Sequence, residues 1–282
     1  MRRAVVIFLE NQRDLMLQFG CLYLSLKYIQ ARDTDLVVFG PRDALSQVPD
    51  DCVKIVCPPL SHPPEWICYR YINSISCLVS EHSDVLEQYH YLLRSDVDTV
   101  LTPAWNAFYP ELYTVGLGGY AHSLPVMKNL KRVARSLGLG HKGIHNIGST
   151  HYGKPGVIRN VCRLAAQVTH HILTQEFKDS PGEWPGWYKG VSSLYGMEIA
   201  TNHLVETMSP DRLKLDASCT SQQSILNYPH IHFWHTFDMF SKFDFTAGKY
   251  DHLTADHLDL SQIKNYCLYI ALRSRKEMPW LG

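Results

Sequence analysis

The 282-residue chain has no excess of either charge, with 27 Lys and Arg against 27 Asp and Glu. No overall field therefore draws it to nucleic acid or to an anionic membrane surface. It has no apolar run approaching about 18 residues, which leaves nothing to span a bilayer as a helix. Its eight cysteines (Cys21, Cys52, Cys57, Cys68, Cys77, Cys162, Cys219 and Cys267) include no CxxC pair, which disfavours zinc ribbons and disulfide scaffolds. Most lie in apolar stretches such as CLYLSL and YCLYIAL and read as reduced, buried thiols of a reducing compartment. There is no internal repeat, low-complexity tract or long linker, so a single compact body is expected. The opening MRRAVVIFLENQRD imitates a secretory signal, but its apolar run AVVIFL meets the charged ENQRD at once, with no small-residue cleavage site. It reads as a first strand, and the expected location is cytoplasmic.

What is present is an ordinary globular composition, 45 % apolar and 19 % charged, with enough length to bury a large core. Arg3 to Leu9 is a buried-strand run, and Leu15 to Ile29 follows with apolar residues at helical spacing. Asp35 to Phe39 and Cys52 to Val56 are short strands stopped by Gly-Pro and Pro-Pro. Glu65 to Val79 is a helix candidate, and Tyr89 to Leu93 is the next strand. This alternation predicts an α/β fold, Rossmann-like, with a mostly parallel sheet and helices on both faces. Ligands of such sheets bind beyond the carboxyl ends of the strands. Residues 1–102 would form the ligand-binding half and 103–282 a second half of the same body. The second half is richer in Gly, Trp, Tyr, Pro and His, with helices expected from Val157 to about Leu173 and from Leu194 to Glu206. One or two amphipathic helices after Tyr250 would close the fold.

The sharpest chemical feature is HYLLRSDVDTVLT. In extended backbone, residues two apart point the same way, so Asp96 and Asp98 can aim both carboxylates at one point while Val97 packs opposite. Two acids within an apolar stretch are costly unless a cation neutralises them, and Mn²⁺ or Mg²⁺ keeps spare positions for phosphate oxygens. A surface turn with solvated acids is the alternative.

That pattern resembles the GT-A class of nucleotide-sugar glycosyltransferases, in which a DxD after a strand binds a divalent metal bridging the donor diphosphate. YRYINSISCLV, upstream of the acidic pair, also looks like that class. The resemblance implies that Arg70 and Asn73, one turn apart on a helix, face the donor alongside Asp96. It further implies a late histidine as third ligand and a following lysine on the diphosphate. In YPHIHFWHTFDMFSKFDF, His230, His232 and His235 lie close together; His232 is the expected ligand, His235 the alternative, and Lys242 the lysine. Metal and basic groups answer the negative charge that grows on a departing nucleoside diphosphate.

Two further segments would line the acceptor side. HNIGSTHYGKPGVIRNVCRL places Ser149 and Thr150 in a glycine-rich loop before a helix whose first turns carry Lys154, Arg159 and Arg163. Cations there oppose the helix dipole and suit an anion or sugar hydroxyls; a solvated turn is the alternative. EWPGWYKGVSSLYGMEIATNH supplies Trp187 and Tyr188 as aromatic walls for sugar rings, beside Trp184. It also places Glu198 and Asn202 on one helical face. Glu198 is the candidate base for the acceptor hydroxyl, with a plain helix-surface glutamate as the alternative.

Taken together, GLGGYAH, HNIGSTHYG, WPGWYKGV, MEIATNH and HIHFWHT are similar to a family of glycosyltransferase-like proteins from algae, other protists and large algal viruses. The resemblance runs from about Tyr69 to Ala271. It implies capsid-glycan enzymes of chloroviruses as the nearest in texture and UDP-xylose as the donor of a β-xylosyl transfer. Where that family has Trp in its STWYG stretch, this chain has His151, which speaks against sugar stacking there. The expectation is a metal-dependent, inverting glycosyltransferase using a UDP-sugar and Mn²⁺ or Mg²⁺, with a glycan acceptor and no nucleic-acid partner. A metal-dependent phosphate or sugar-phosphate hydrolase and a non-catalytic carbohydrate-binding protein are the competitors.

Overall fold

The computed structural model describes residues 1–209, 214–234 and 240–281. The first strand, β1 (Arg3–Phe8), is buried along its whole length, as an Ala-Val-Ile run in a sheet covered on both faces must be. It is followed by α1 (Arg13–Tyr28), β2 (Thr34–Gly40), the short α2 (Arg42–Leu45) and β3 (Val53–Val56). The expected helix from Glu65 to Val79 is instead broken. It forms α3 (Glu65–Cys68), a 3₁₀ turn at Arg70–Ile72, α4 (Asn73–Ser76) and another 3₁₀ turn at Cys77–Val79. The polar Asn73, 2 % exposed, is anchored there by accepting from the Leu60 N–H at 2.9 Å. A side chain tied to an outlying loop competes with straight helix.

The chain then runs through β4 (Tyr91–Arg94), β5 (Thr99–Leu101), β6 (Thr114–Leu117), α5 (Leu124–Ser136), β7 (Ile147–Gly153), α6 (Pro155–His171) and α7 (Ser192–Leu204). It closes with β8 (Ala217–Ser218), β9 (His230–His232), α8 (Lys242–Thr246) and α9 (Ile263–Glu277). Six strands form the main sheet in the order β3-β2-β1-β4-β7-β6, and β5-β9-β8 form a small second sheet. The first four pair in parallel, whereas β7 pairs antiparallel with β4 and β6 antiparallel with β7. The expected α/β fold is thus present as a mixed sheet. The glycine-rich loop expected at Ser149 and Thr150 is β7 itself, a strand whose Gly, Ser, Thr and His content hides its period.

Alternate residues of β1 feed two cores. Ala4, Val6 and Phe8 pack with Ile75 of α4 and Ile158, Val161 and Ala165 of α6. Val5 and Ile7 pack with Phe19, Leu22 and Leu26 of α1. The sheet therefore has helices on both faces. Leu17, Cys21 and Leu24 of α1 also pack against Ile231 of β9 and Tyr266 and Ile270 of α9, so one helix joins the two sheets. Residue 102 directly follows β5, and both sheets take strands from either side of it: β6 and β7 join the main sheet, β8 and β9 the second. Arg3 is the unexpected core member. Its guanidinium is buried, donates to Trp105 O and Phe108 O at 2.9 Å each and pairs with Asp33 at 2.7 Å.

Candidate active site

Past Arg94 the chain leaves the main sheet through a bend at Val97–Asp98 and enters β5. The acidic pair sits in that bend rather than in extended backbone. Val97 turns into the core on the α1 side. The partner of the pair comes from tertiary structure. In the antiparallel β5–β9 ladder Thr99 stands opposite His232, and the Phe233 N–H donates to Asp98 O at 2.8 Å. Asp96, Asp98 and His232 each offer a ligand atom, all within 4.8 Å of one another. His235 lies outside the described residues.

Each member is held by a second layer. Arg94, itself buried, reaches Asp96 at 3.1 Å and donates to Ser74 O at 3.2 Å and to Ser149 O. Lys242, the first residue of α8, donates to Asp98 Oδ2 at 2.6 Å. His232 lies between two carboxylates, with Nε2 3.3 Å from Asp98 Oδ1 and Nδ1 3.3 Å from Asp216 Oδ1. Burial works against charge on His232, but Asp98 and Asp216 outweigh it and raise its pKa well above the ordinary value. Burial likewise opposes ionisation of Asp98, yet His232 and Lys242 hold it well below the usual carboxylate range. Asp216 is also held low, against burial, by His232, His230 and Thr150.

The donor set of two carboxylates and one imidazole fits a divalent ion such as Mn²⁺ or Mg²⁺ with positions to spare. Because both nitrogens of His232 face carboxylate oxygens, Nε2 can give up its hydrogen while Nδ1 keeps one. Neighbouring His230 differs. The Asp216 N–H donates to its Nδ1 at 3.1 Å, so its hydrogen sits on Nε2, 3.0 Å from Ser95 Oγ. Burial lowers its pKa to about 4.

A second grouping, His141, His145 and Glu198, also brings its ligand atoms within 4.8 Å of one another. Glu198 is not on the helix surface; it is 0 % exposed. Its Oε1 lies 2.7 Å from His145 Nδ1 and 3.3 Å from His141 Nε2, and its Oε2 accepts from the Tyr120 hydroxyl at 2.7 Å. The Gly143 N–H donates to His141 Nδ1 at 3.0 Å, which puts the His141 hydrogen on Nε2, aimed at Glu198. That ring is a donor to the carboxylate rather than a free lone pair for a metal.

Several expected contacts are placed differently. Arg70 and Asn73 do not share one helix, and both meet Glu10, just past β1, at 3.1 and 3.4 Å. Asn73 is buried on that acid, while Arg70 stays exposed. Thr150 does not face a cleft; its hydroxyl donates to Asp216 Oδ1 at 2.6 Å. Ser149 Oγ is buried without a hydrogen-bond partner. Asn202 spends its amide on backbone, accepting from the N–H of Lys142 and Ile144 at 3.1 and 3.2 Å and donating to Ile144 O and Glu198 O at 2.9 Å each. The Trp187 ring stacks on Tyr195 at 4.3 Å and on Phe177 at 5.5 Å. The aromatic face open to solvent is that of Trp184, beside Tyr188 at 6.4 Å. Arg159 pairs with Asp84 at 2.9 Å and with Glu87, so its charge is already answered. His151 is buried, 2.9 Å from the Tyr113 hydroxyl, and presents no face to a sugar.

Asp216, Arg94 and Glu10 were missed. Glu10 had a signal, an acid directly after a buried strand; Asp216 in LKLDASC had none. A cavity of about 320 Å³ lined by Tyr23, Lys27, Arg32, Asp35 and Asp51 opens at the amino edge of β2, opposite the edge that carries the acidic pair.

A mixed α/β protein with a carboxylate–imidazole cluster at the carboxyl edge of its parallel strands is the class so defined. The chain belongs to the family described as a domain of unknown function (DUF7164), which matches residues 1–279. No curated protein matches it in sequence. Among solved structures it is similar to the apo form of the bifunctional glycosyltransferase WbbM, with 10 % identity and a TM-score of 0.46 over 82 % of this chain and 45 % of that one. It is also similar to an active-site mutant of LgtC, with 9 % identity and a TM-score of 0.44 over 93 % of this chain and 83 % of that one. The chain thus spans less than half of the WbbM chain. No helix among the described residues is long and apolar enough to cross a membrane.

Proposed function

We propose that this chain is a metal-dependent glycosyltransferase, moving a sugar from a nucleoside diphosphate donor to a glycan hydroxyl. The observation that carries the reading is the convergence of Asp96, Asp98 and His232 where ligands of parallel sheets bind. Those residues would hold Mn²⁺ or Mg²⁺, which supplies Lewis-acid stabilisation of the leaving diphosphate. Lys242 holds Asp98 in place and adds positive charge beside the leaving group, and Arg94 does the same for Asp96. Arg70, exposed and paired with Glu10, would meet the donor's nucleotide end.

The finer reading, supported by the motif resemblance, is a UDP-xylose donor and an inverting transfer. Inversion needs a base for the acceptor hydroxyl. Glu198 is sealed from solvent, so we assign it that role through His145, the partly exposed ring it contacts. The test is release of UDP from UDP-xylose by purified protein, with and without Mn²⁺ and acceptor glycan, together with anomer analysis of the product. Metal-dependent UDP release with a β-linked product supports the reading. Cleavage of simple phosphate esters without acceptor would favour a hydrolase, and glycan binding without nucleotide affinity a carbohydrate-binding protein.

A further inference from the structure

We infer that Asp216 is a positioning residue that holds the His232 ring through Nδ1 and thereby turns Nε2 toward Asp96 and Asp98. The inference rests on the metal-dependent reading above. A neutral imidazole ligates through one nitrogen only when its hydrogen sits on the other, and the group facing that other nitrogen decides which it is. For His232 that group is Asp216 Oδ1, 3.3 Å from Nδ1.

Three features fix the carboxylate. Thr150 donates to it twice, from its hydroxyl to Oδ1 at 2.6 Å and from its N–H to Oδ2 at 3.4 Å. Two glycines of neighbouring strands make room for it: a Cβ on Gly116 would stand 1.7 Å from Asp216 Oδ2, and one on Gly148 2.5 Å. The backbone of Asp216 adopts φ 59°, a conformation that costs energy in a non-glycine residue and persists only where its surroundings demand it. The nearby His230 does not compete. Its Nδ1, 3.5 Å from Asp216 Oδ1, already accepts the Asp216 N–H and carries no hydrogen. Burial, a strained backbone and a glycine-lined recess thus all serve one carboxylate, which contacts the histidine that faces Asp96 and Asp98 among the described residues.

The test is titration of the full chain with Mn²⁺ by calorimetry, alongside ¹⁵N spectra of the His232 ring in metal-free protein. Asp216→Ala removes the acceptor; Asp216→Asn keeps an acceptor oxygen in the same shape. Loss of an outer-shell partner of this kind lowers metal affinity by about 10–100-fold. That loss is expected for Asp216→Ala with a shifted Nδ1 resonance, and a partial loss for Asp216→Asn. If the alanine variant does not fold, the asparagine variant decides by the same two readouts. Wild-type affinity and unchanged ring resonances in the folded variant would overturn the inference while leaving the metal site standing. A wild-type chain that binds no Mn²⁺ would overturn the metal-dependent reading and this inference with it.

Discussion

Asp96, Asp98 and His232 meet at the junction of two sheets, whereas His141, His145 and Glu198 meet inside the packing of α7 against the segment before β7. Both groupings combine histidine with carboxylate, with ligand atoms within 4.8 Å of one another. What separates them is the atom facing the remote ring nitrogen. At His232 it is a carboxylate oxygen, which favours a hydrogen on Nδ1, so that Nε2 is the nitrogen that can give its own up to a cation. At His141 it is a backbone N–H, which leaves the hydrogen on Nε2, where it binds Glu198. The same residue types therefore suit a cation in one place and a buried hydrogen-bond network in the other.

The largest expected effect is at the first grouping. Asp98→Ala should cut metal-dependent UDP release by on the order of 10³-fold and abolish calorimetric Mn²⁺ binding; undiminished turnover would remove the distinction between the groupings. Next comes the second grouping. Glu198→Ala removes the buried carboxylate that His141, His145 and the Tyr120 hydroxyl share, which costs about 3 kcal/mol and lowers Tm by roughly 6–12 °C. Its Mn²⁺ affinity should stay at the wild-type value, and a loss of affinity without a loss of Tm would reverse the two roles.

A smaller effect comes from β7, which follows His145 in the chain. Burial, reinforced by the charge of Arg94, lowers the pKa of His151 from 6.5 to about 3. The unfolded chain binds more protons over that window, so stability is full above 6.5 and falls as pH drops toward 3. Denaturation by urea at successive pH values should show this slope, and His151→Gln should flatten it; an equal slope in both proteins would place the titrating group elsewhere. The smallest effect is chemical. Seven cysteines are buried and Cys68 is exposed, and burial pushes the thiols of Cys21 and Cys162 up to about 12. One thiol should react with a water-soluble reagent in the native protein and eight in denaturant; rapid labelling of Cys21 would contradict the packing of α1 against α9.

Periodicity made much of the fold readable. Alternating buried strands and helices marked β1, α1, β2, β3 and β4 within a few residues, and α6 and α7 as well. The acidic pair stood out by residue type, the family resemblance pointed to His232 and Lys242, and the structure brings those four together. β7 escaped because Gly, Ser, Thr and His carry no hydrophobic alternation, although its antiparallel pairing with β4 buries it. The broken helix at 65–79 escaped because its apolar spacing is helical, while Asn73 is drawn away by Glu10 and Leu60. Thr150 and Asn202 looked like sugar ligands because a hydroxyl and an amide in a polar stretch carry no mark of the internal partner that takes them.

By itself the sequence determined β1, α1, β2, β3 and β4 in order, α6 and α7, and the chemical types of the acidic pair, because apolar period and side-chain chemistry are local properties of the chain. Tertiary structure alone decided that Thr99 faces His232 across a ladder, that Asp216 fills the recess beside Gly116 and Gly148, and that Glu198 is sealed away. Such pairings depend on register, burial and the direction of single hydrogens between segments far apart in the chain, and no window of sequence contains both partners.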